Sequence, residues 1–391
     1  MAARPDTAPV TPHGKAPPVA DPGGALLAID HEELVIRRGR RTGLYAIVAV
    51  HSTALGPALG GCRMWRYPSS TEAARDALRL SRAMTLKAAA AGLHLGGGKG
   101  VICLPPGTRA PEGAPRRSLL LDFADAVDAL DGSYITAEDV GTNARDMVTI
   151  AEHTRFVTGL PTVHGGSGDP SPHTAAGVVA AMRACCAARL DGPDLEGRTV
   201  AVVGCGRVGE QLARRLSALG VRLLLADIDE RKRALAAELP NASWVDPAAA
   251  LLANVDVLAP CALGGVVDEG NVDALRCRIV CGSANNQLAQ DGLAERLARR
   301  DVLYAPDFIA NAGGLMNVAL ELERDGYDRE RAGRRVAAIE EVMAGVLARA
   351  RERGTTPLAA AVELARGRLG AAAGETPTIA ASDNGRVPQA G

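Results

Sequence analysis

The sequence predicts an α/β protein of two domains, the second built on a doubly wound parallel sheet. Three observations predict it. The chain has 391 residues, enough for two separate cores. A strand, a glycine turn, a helix and a second strand follow one another from Thr199 to Ala226. Apolar strand-like runs then alternate with helical stretches as far as Tyr304, the pattern of a parallel sheet covered by helices.

Composition narrows the function classes. Hydrophobic residues make up 47% and charged residues 23%, the balance of a soluble globular enzyme. A formal net charge of −1 gives no global pull toward nucleic acid or a membrane surface. Aromatics at 3% argue against base-stacking platforms. No apolar run reaches the length of a membrane span. The eight cysteines contain no CxxC pair and sit mostly in apolar surroundings, so buried thiols in a reducing cytoplasm are expected. No HExxH-type pairing occurs among the histidines, so no metal is expected.

Residues 1–24 are rich in Pro, Ala and Gly and lack a signal-peptide pattern; they read as a disordered extension, and 370–391 as a flexible tail. The first domain is expected over 25–165. Glu33–Ile36 and Leu44–Val50 read as strands joined by a turn. Gly56–Gly61 reads as a break in regular structure where backbone approaches a ligand. A helix follows, with Ser69 and Glu72 as a capping signature and Ala73, Ala77, Leu80, Met84 and Ala91 at helical spacing. Lys87 falls on that apolar stripe. A charge there must be paired, line a cavity or snorkel to solvent. Lys99 closes Gly96-Gly97-Gly98-Lys99-Gly100, which is not a phosphate loop: Leu93 stands where that motif needs Gly, and Gly100 where it needs Ser or Thr. The apolar run Val101–Leu104 places Lys99 at a glycine-to-strand junction near the core. Desolvation and a nearby like charge favour the neutral form of a lysine, so both are candidates for chemistry. The run Tyr134–Ala137 leads into Glu138 and Asp139. Thr142 and Asn143 are better placed to cap the next helix, which leaves Asp139 for another role.

Gly165–Pro172 is dense in turn residues and reads as the crossing into the second domain, 166–328. There Thr199–Val203 enters Gly204-Cys205-Gly206-Arg207-Val208-Gly209, which opens a helix. Asp227 follows the third glycine by 18 residues, at the end of the next strand. This is a Rossmann fingerprint in its full context. The glycines allow the tight turn and the approach of a pyrophosphate to the helix N-terminus. Asp227 suits ribose hydroxyls and repels a 2′-phosphate, so NAD is favoured over NADP. Polar clusters at 283–286 and 307–314 follow later strands, where ligands bind in open α/β sheets. Residues 329–369 read as helices packing across both domains.

At this point the motifs match a known family. The chain resembles the glutamate/leucine/phenylalanine/valine dehydrogenases, and the leucine and valine members most. The resemblance covers about 30–368 and rests on GPALGGCRM (56–64), MTLKAAAAGLHLGGGKG (84–100), YITAEDVGT (134–142), GGSGDPSPHTAAGV (165–178), GCGRVGE (204–210), APCALGG (259–265), GSANNQLA (282–289) and YAPDFIANAGG (304–314). It implies a mixed-sheet first domain, a cleft between the domains and a homo-oligomer. It implies that Lys87 binds the substrate carboxylate, that Lys99 and Asp139 are catalytic, and that Thr174 and Asn285 lie at the nicotinamide. Asp139 would take a proton from the substrate ammonium, and Lys99 would activate water against an iminium. Glutamate members carry a lysine and a serine where this chain has Leu59 and Val318, so an apolar amino acid is expected. Gly60 and Leu315 would line the same pocket. Cys62, His94, Gly100 and Leu315-Met316 depart from the familiar pattern. An aromatic amino acid dehydrogenase and a silent NAD-binding sensor are the alternatives.

Overall fold

The computed structural model describes residues 30–374. The expected disordered extension at 1–24 lies outside the described residues, as does the expected tail from 375 onward; 370–374 instead complete the last helix.

The first sheet holds β1 (Glu33–Arg38), β2 (Tyr45–Ser52), β3 (Ala58–Arg66), β4 (Gly96–Leu104) and β5 (Tyr134–Glu138), in the order β1-β2-β4-β3-β5. It is mixed: β1, β2 and β4 pair antiparallel, while β3 runs parallel to both β4 and β5. Two expectations are corrected here. The segment from Ala58 does not break regular structure but forms β3, and Lys99 lies within β4 rather than at its entry. The physical reason is packing on both faces. A Cβ on Gly97 would fall on the backbone of Thr85 in helix α1 (Ser70–Ala90), while one on Gly98 or Gly100 would strike the rings of Tyr134 or Phe123. The glycines therefore let elements on opposite faces close onto the sheet. Phe123 belongs to α2 (Gly113–Asp128). Ser69 caps α1 by accepting from Glu72 N, and Asn143 with Asp146 forms a complete capping box on α3 (Ala144–Ala151).

Helix α4 (Ser171–Arg189) leads to the second sheet. Its strands are β6 (Thr199–Val203), β7 (Arg222–Ala226), β8 (Ala242–Trp244), β9 (Val257–Pro260), β10 (Ile279–Val280) and β11 (Leu303–Tyr304), ordered β11-β10-β9-β6-β7-β8 and parallel throughout. The helices between them are α5 (Arg207–Ala218), α6 (Ala234–Glu238), α7 (Pro247–Leu251) and α8 (Leu293–Arg299). Sequence pattern does not reveal β8, whose three residues are too short for periodicity.

After β11 come α9 (Asp307–Ala310), α10 (Gly313–Ala319), α11 (Arg329–Ala337), α12 (Ile339–Arg353) and α13 (Pro357–Gly374). Helix α12 packs on α4, and α13 returns to α1. Arg368 of α13 donates to the carbonyls of Ala89 and Ala90 at 2.7 and 2.8 Å, closing the C-terminus of α1. Among the described residues no helix is long and apolar enough to cross a membrane.

The glycine packing is testable. Gly97→Ala forces α1 off the sheet and is expected to destabilise the protein by about 1–3 kcal/mol, the range of overpacked cores. Gly345→Ala, exposed within α12 with open space at its Cβ, should instead gain about 0.5–1 kcal/mol. Urea unfolding of the two variants measures both; equal midpoints would refute the packing account.

Candidate active site

The register of the first sheet assembles the site. Gly61 pairs with Ala137 on β5, and on its other side β3 runs in register with β4 through Leu59–Gly97, Cys62–Gly100 and Arg63–Val101, which sets Lys99 alongside Gly61. Residues two apart on a strand share a face, so Lys99, Arg63 and Asp139, just beyond β5, converge. Gly61 is needed between them: its Cβ would lie 2.8 Å from that of Asp139. Lys99 Nζ donates to Asp139 Oδ2 at 2.8 Å, and Arg63 Nε donates to the same oxygen at 2.9 Å. The Thr142 hydroxyl accepts from Asp139 N at 2.9 Å and donates to the Cys62 carbonyl at 2.8 Å. It thus pins the turn that carries Asp139, while Asn143 caps the helix.

Charge follows from this geometry. Burial alone would raise the Asp139 carboxyl, but Lys99 and Arg63 outweigh it and hold the group down at about 2. Lys87, half-buried on α1, is pushed down to about 8 by burial, opposed by Asp307 and reinforced by Lys99. Asp307 is pushed up by burial, against the backbone N–H of Gln287 at 3.0 Å and the charge of Lys87. The fold therefore drives Lys87 toward neutrality.

One cavity of about 430 Å³ gathers most of the sequence candidates. Lys87, Lys99, Asp139, Leu59, Gly60, Thr174, Val208, Asn285, Leu315 and Val318 all line it. The charged groups come from α1 and the first sheet, Val208 from α5, and Leu315 and Val318 from α10. Gly204, Cys205 and Gly206 stand outside that lining in the turn after β6, Arg207 and Gly209 in the first turn of α5, and Asp227 just after β7. Gly204 has φ +105° and a Cβ there would meet the Ala262 backbone N at 2.6 Å; a Cβ on Gly209 would strike the Gly204 carbonyl. On Gly206 a Cβ would meet nothing within 4 Å. The first and third glycines serve packing. The second leaves an open cradle at the N-terminus of α5, which fits a pyrophosphate. Asp227 accepts from Cys205 N at 2.6 Å and from Asp229 N at 2.8 Å, so it braces this turn and still has lone pairs for hydroxyls. Arg207 reaches back to the first sheet, 3.8 Å from Glu138.

Asp307 and Asn311, from the polar cluster read at 307–314, line the cavity as well; Arg63, Leu358 and Val362 also line it and were not singled out from sequence. Arg63 was within reach: it shares period-two spacing with Leu59 and Gly61, a signal hidden once the segment reads as a break. Leu358 and Val362 arrive on α13, from the far end of the chain, and no local pattern announces them.

Comparison with known proteins decides the family. Residues 31–156 match the profile of the Glu/Leu/Phe/Val dehydrogenase dimerisation domain, and 221–376 that of the glutamate/leucine/phenylalanine/valine dehydrogenase domain. The chain belongs to this family. It is an amino acid dehydrogenase, an oxidoreductase acting on CH–NH2 donors. Residues 178–263 also match the NAD-binding domain of D-isomer-specific 2-hydroxyacid dehydrogenases, in keeping with the turn after β6. A leucine dehydrogenase of Thermoactinomyces intermedius is 43% identical over 87% of this chain and 91% of its own length. A valine dehydrogenase of Streptomyces albus is 42% identical over 87% and 92%. The crystal structure of an L-tryptophan dehydrogenase from Nostoc punctiforme superposes with a TM-score of 0.75 at 36% identity, covering 89% of this chain and 98% of that one.

The Lys87 environment has a thermodynamic signature. Between pH 8 and 10.5 the unfolded chain binds a proton at this position that the folded chain has lost, so stability rises with pH there. Below pH 8 both states are charged and the full burial penalty stands. Lys87→Met should therefore raise the melting temperature most near pH 7, with the gain shrinking toward pH 10.5. Thermal melts across that range test it; a pH-independent difference would contradict it.

Proposed function

We propose that this dehydrogenase catalyses the NAD-dependent, reversible oxidative deamination of an apolar L-amino acid, leucine, valine or isoleucine, to the 2-oxo acid and ammonia. The observation that carries this is a cavity with one charged pole, Lys87, Lys99 and Asp139, and an apolar wall that includes Leu59, Leu315 and Val318. The side chain of glutamate would meet Leu59 and Val318 with no cation at either position, and a carboxylate buried unpaired costs on the order of several kcal/mol. The names of the leucine and valine relatives point the same way.

Each residue then has a role. NAD would be held at the Gly204–Gly209 turn and by Asp227, with Thr174 and Asn285 in the lining of the adjoining cavity, and when bound would supply the hydride acceptor. Lys87 anchors the substrate carboxylate and so fixes the Cα–H. Asp139 takes the proton that the substrate ammonium must lose before the hydride can leave, and passes it on to solvent. A carboxyl held at about 2 keeps a proton only in passing, so its larger task is to orient the nitrogen and balance the positive iminium that follows. Lys99, in its uncharged amine form, takes a proton from the water as the oxygen adds to the iminium carbon. Its protonated form then balances the carbinolamine as that breaks into 2-oxo acid and ammonia. Residues 25–165 and 166–328 act as the two closing halves, and closure excludes bulk water. The chain works as a homo-oligomer. The name of the profile at 31–156 supports this, as do the exposed Ile36, Tyr45 and Trp65 on β1, β2 and β3. Its eight free cysteines suit the reducing cytoplasm. Aromatic amino acids are the second reading, favoured by the 36% identity to an L-tryptophan dehydrogenase.

Initial rates with NAD and a panel of L-amino acids test the proposal. Turnover of leucine, valine or isoleucine is expected above that of phenylalanine, tryptophan and glutamate. Lys99→Ala should abolish it and leave NAD binding intact. Preferred turnover of glutamate would overturn the pocket argument.

Asp227→Ser should lower the NAD-to-NADP ratio of kcat/KM by about tenfold or more, since about 1.4 kcal/mol is one factor of ten. An unchanged ratio would mean that Asp227 only braces the turn.

A further inference from the structure

Asp139 is held from two sides, and only one of them belongs to the chemistry described above. Both cations that touch it use Oδ2: Lys99 at 2.8 Å and Arg63 at 2.9 Å. Among the described residues Oδ1 takes no hydrogen bond. Behind Asp139 the contacts continue. Arg63 Nη1 donates to Asp76 Oδ2 at 3.0 Å, and the Tyr67 hydroxyl donates to that same oxygen at 2.7 Å. Arg79 donates to Asp76 Oδ1 at 2.8 Å. Arg63 is thus clamped between two carboxylates, one at the site and one on α1. Its planar guanidinium presents different N–H groups to each, which a lysine cannot reproduce.

We propose that Arg63 is a positioning residue: clamped by Asp76, it fixes the Asp139 carboxylate so that Oδ1 faces the substrate ammonium. A carboxylate held by Lys99 alone turns about its Cβ–Cγ bond, and either oxygen then meets the lysine. With Oδ2 held by two donors on different strands, the plane of the group is set. Tyr67 and Arg79 hold Asp76 in turn, so the alignment is anchored in α1 and not only in the sheet. This inference rests on the deamination reading, in which Asp139 meets the amino group.

The test is steady-state kinetics of the full chain with NAD and the best amino acid of the panel. Arg63→Ala is expected to lower kcat by about 10²-fold, the scale of a misplaced reacting group, with the amino-acid KM within about threefold. NAD affinity, measured by fluorescence, should not change and reports an intact fold. Arg63→Lys should recover part of kcat. Methylguanidinium added to Arg63→Ala should restore kcat by about tenfold and do nothing for Asp76→Asn, which keeps its arginine and loses kcat to a smaller degree. If Arg63→Ala does not fold, the lysine and Asp76→Asn variants carry the same comparison of kcat with KM. A rise in amino-acid KM of about tenfold at unchanged kcat would mean that Arg63 grips the substrate carboxylate, and would overturn the proposal. So would a kcat for Arg63→Ala equal to that of the unaltered chain. An unaltered chain inactive across the whole panel would overturn the deamination reading itself, which separates the two failures.

Discussion

The contact between Lys99 and Asp139 sets the terms for the first sheet. Lys99 is only 5% exposed, and an ammonium taken that far from water needs a close anion. The anion cannot come from position 61 of β3, because a Cβ there would fall on the Glu138 carbonyl at 2.5 Å. It comes from the turn beyond β5, one strand further away, across a glycine. The same constraint explains why β4 opens with three glycines and carries a fourth after Lys99. Side chains at 97, 98 or 100 would push α1, Tyr134 or Phe123 away and open the site to water. Sheet stability from β-branched residues is given up here for close approach on both faces.

A second pair of charged side chains, one from each half, lines the cavity. Lys87 on α1 and Asp307 at the start of α9 feel one another, and burial drives both toward their neutral forms. Two other contacts cross the same divide. Arg207 of the glycine turn faces Glu138, the residue before Asp139. Glu321, after α10, accepts from the backbone N–H groups of Gly159 and Ser167 at 3.0 and 2.7 Å, holding the chain just before and within the crossing segment. Glu138 and Gly159 both line the cavity, so these contacts bring the two halves together beside Lys99 and Asp139. Lys87 sits in the middle of this. A half-buried amine that is costly to charge gains most from an arriving carboxylate, so the binding of substrate and the relief of that cost coincide.

How much of this could be read in the sequence depended on range. The turn after β6 was legible because each part is local: strand, glycines, helix and acid occupy one continuous stretch, and the structure has all of them in place. Lys87 and Lys99 were legible as unusual lysines on an apolar stripe and beside glycines. What misled was the meaning of glycine. Gly56–Gly61 reads as a break in regular structure and Gly96–Gly98 as the lead-in to a strand, because glycine favours turns. In the fold, all but Gly56 and Pro57 belong to central strands, and the reason lies in residues far along the chain: Thr85, Tyr134 and Asp139. Once β3 was misread, the alternation that aligns Leu59 with Arg63 disappeared, and Arg63 with it. The roles of Leu358 and Val362 depend on α13 returning to α1, a contact that no local pattern encodes.

The division of the cavity into a charged pole and an apolar wall has a consequence for how such a scaffold changes substrate. The charged pole draws on α1, β3, β4 and the end of β5, and its groups hold one another, so altering one disturbs the rest. The wall draws on side chains with no such mutual debt: Leu59 on β3, Leu315 and Val318 on α10, Leu358 and Val362 on α13. Those positions tolerate exchange of volume, because an apolar pocket distinguishes side chains by only about 1–3 kcal/mol per methylene. Adding a charge is different, since it requires a buried partner in the wall itself. Exchange among leucine, valine and larger apolar side chains is therefore a matter of graded fit across three elements. The step to glutamate is a discrete one, and it needs new polar groups in a wall that has Leu59 and Val318.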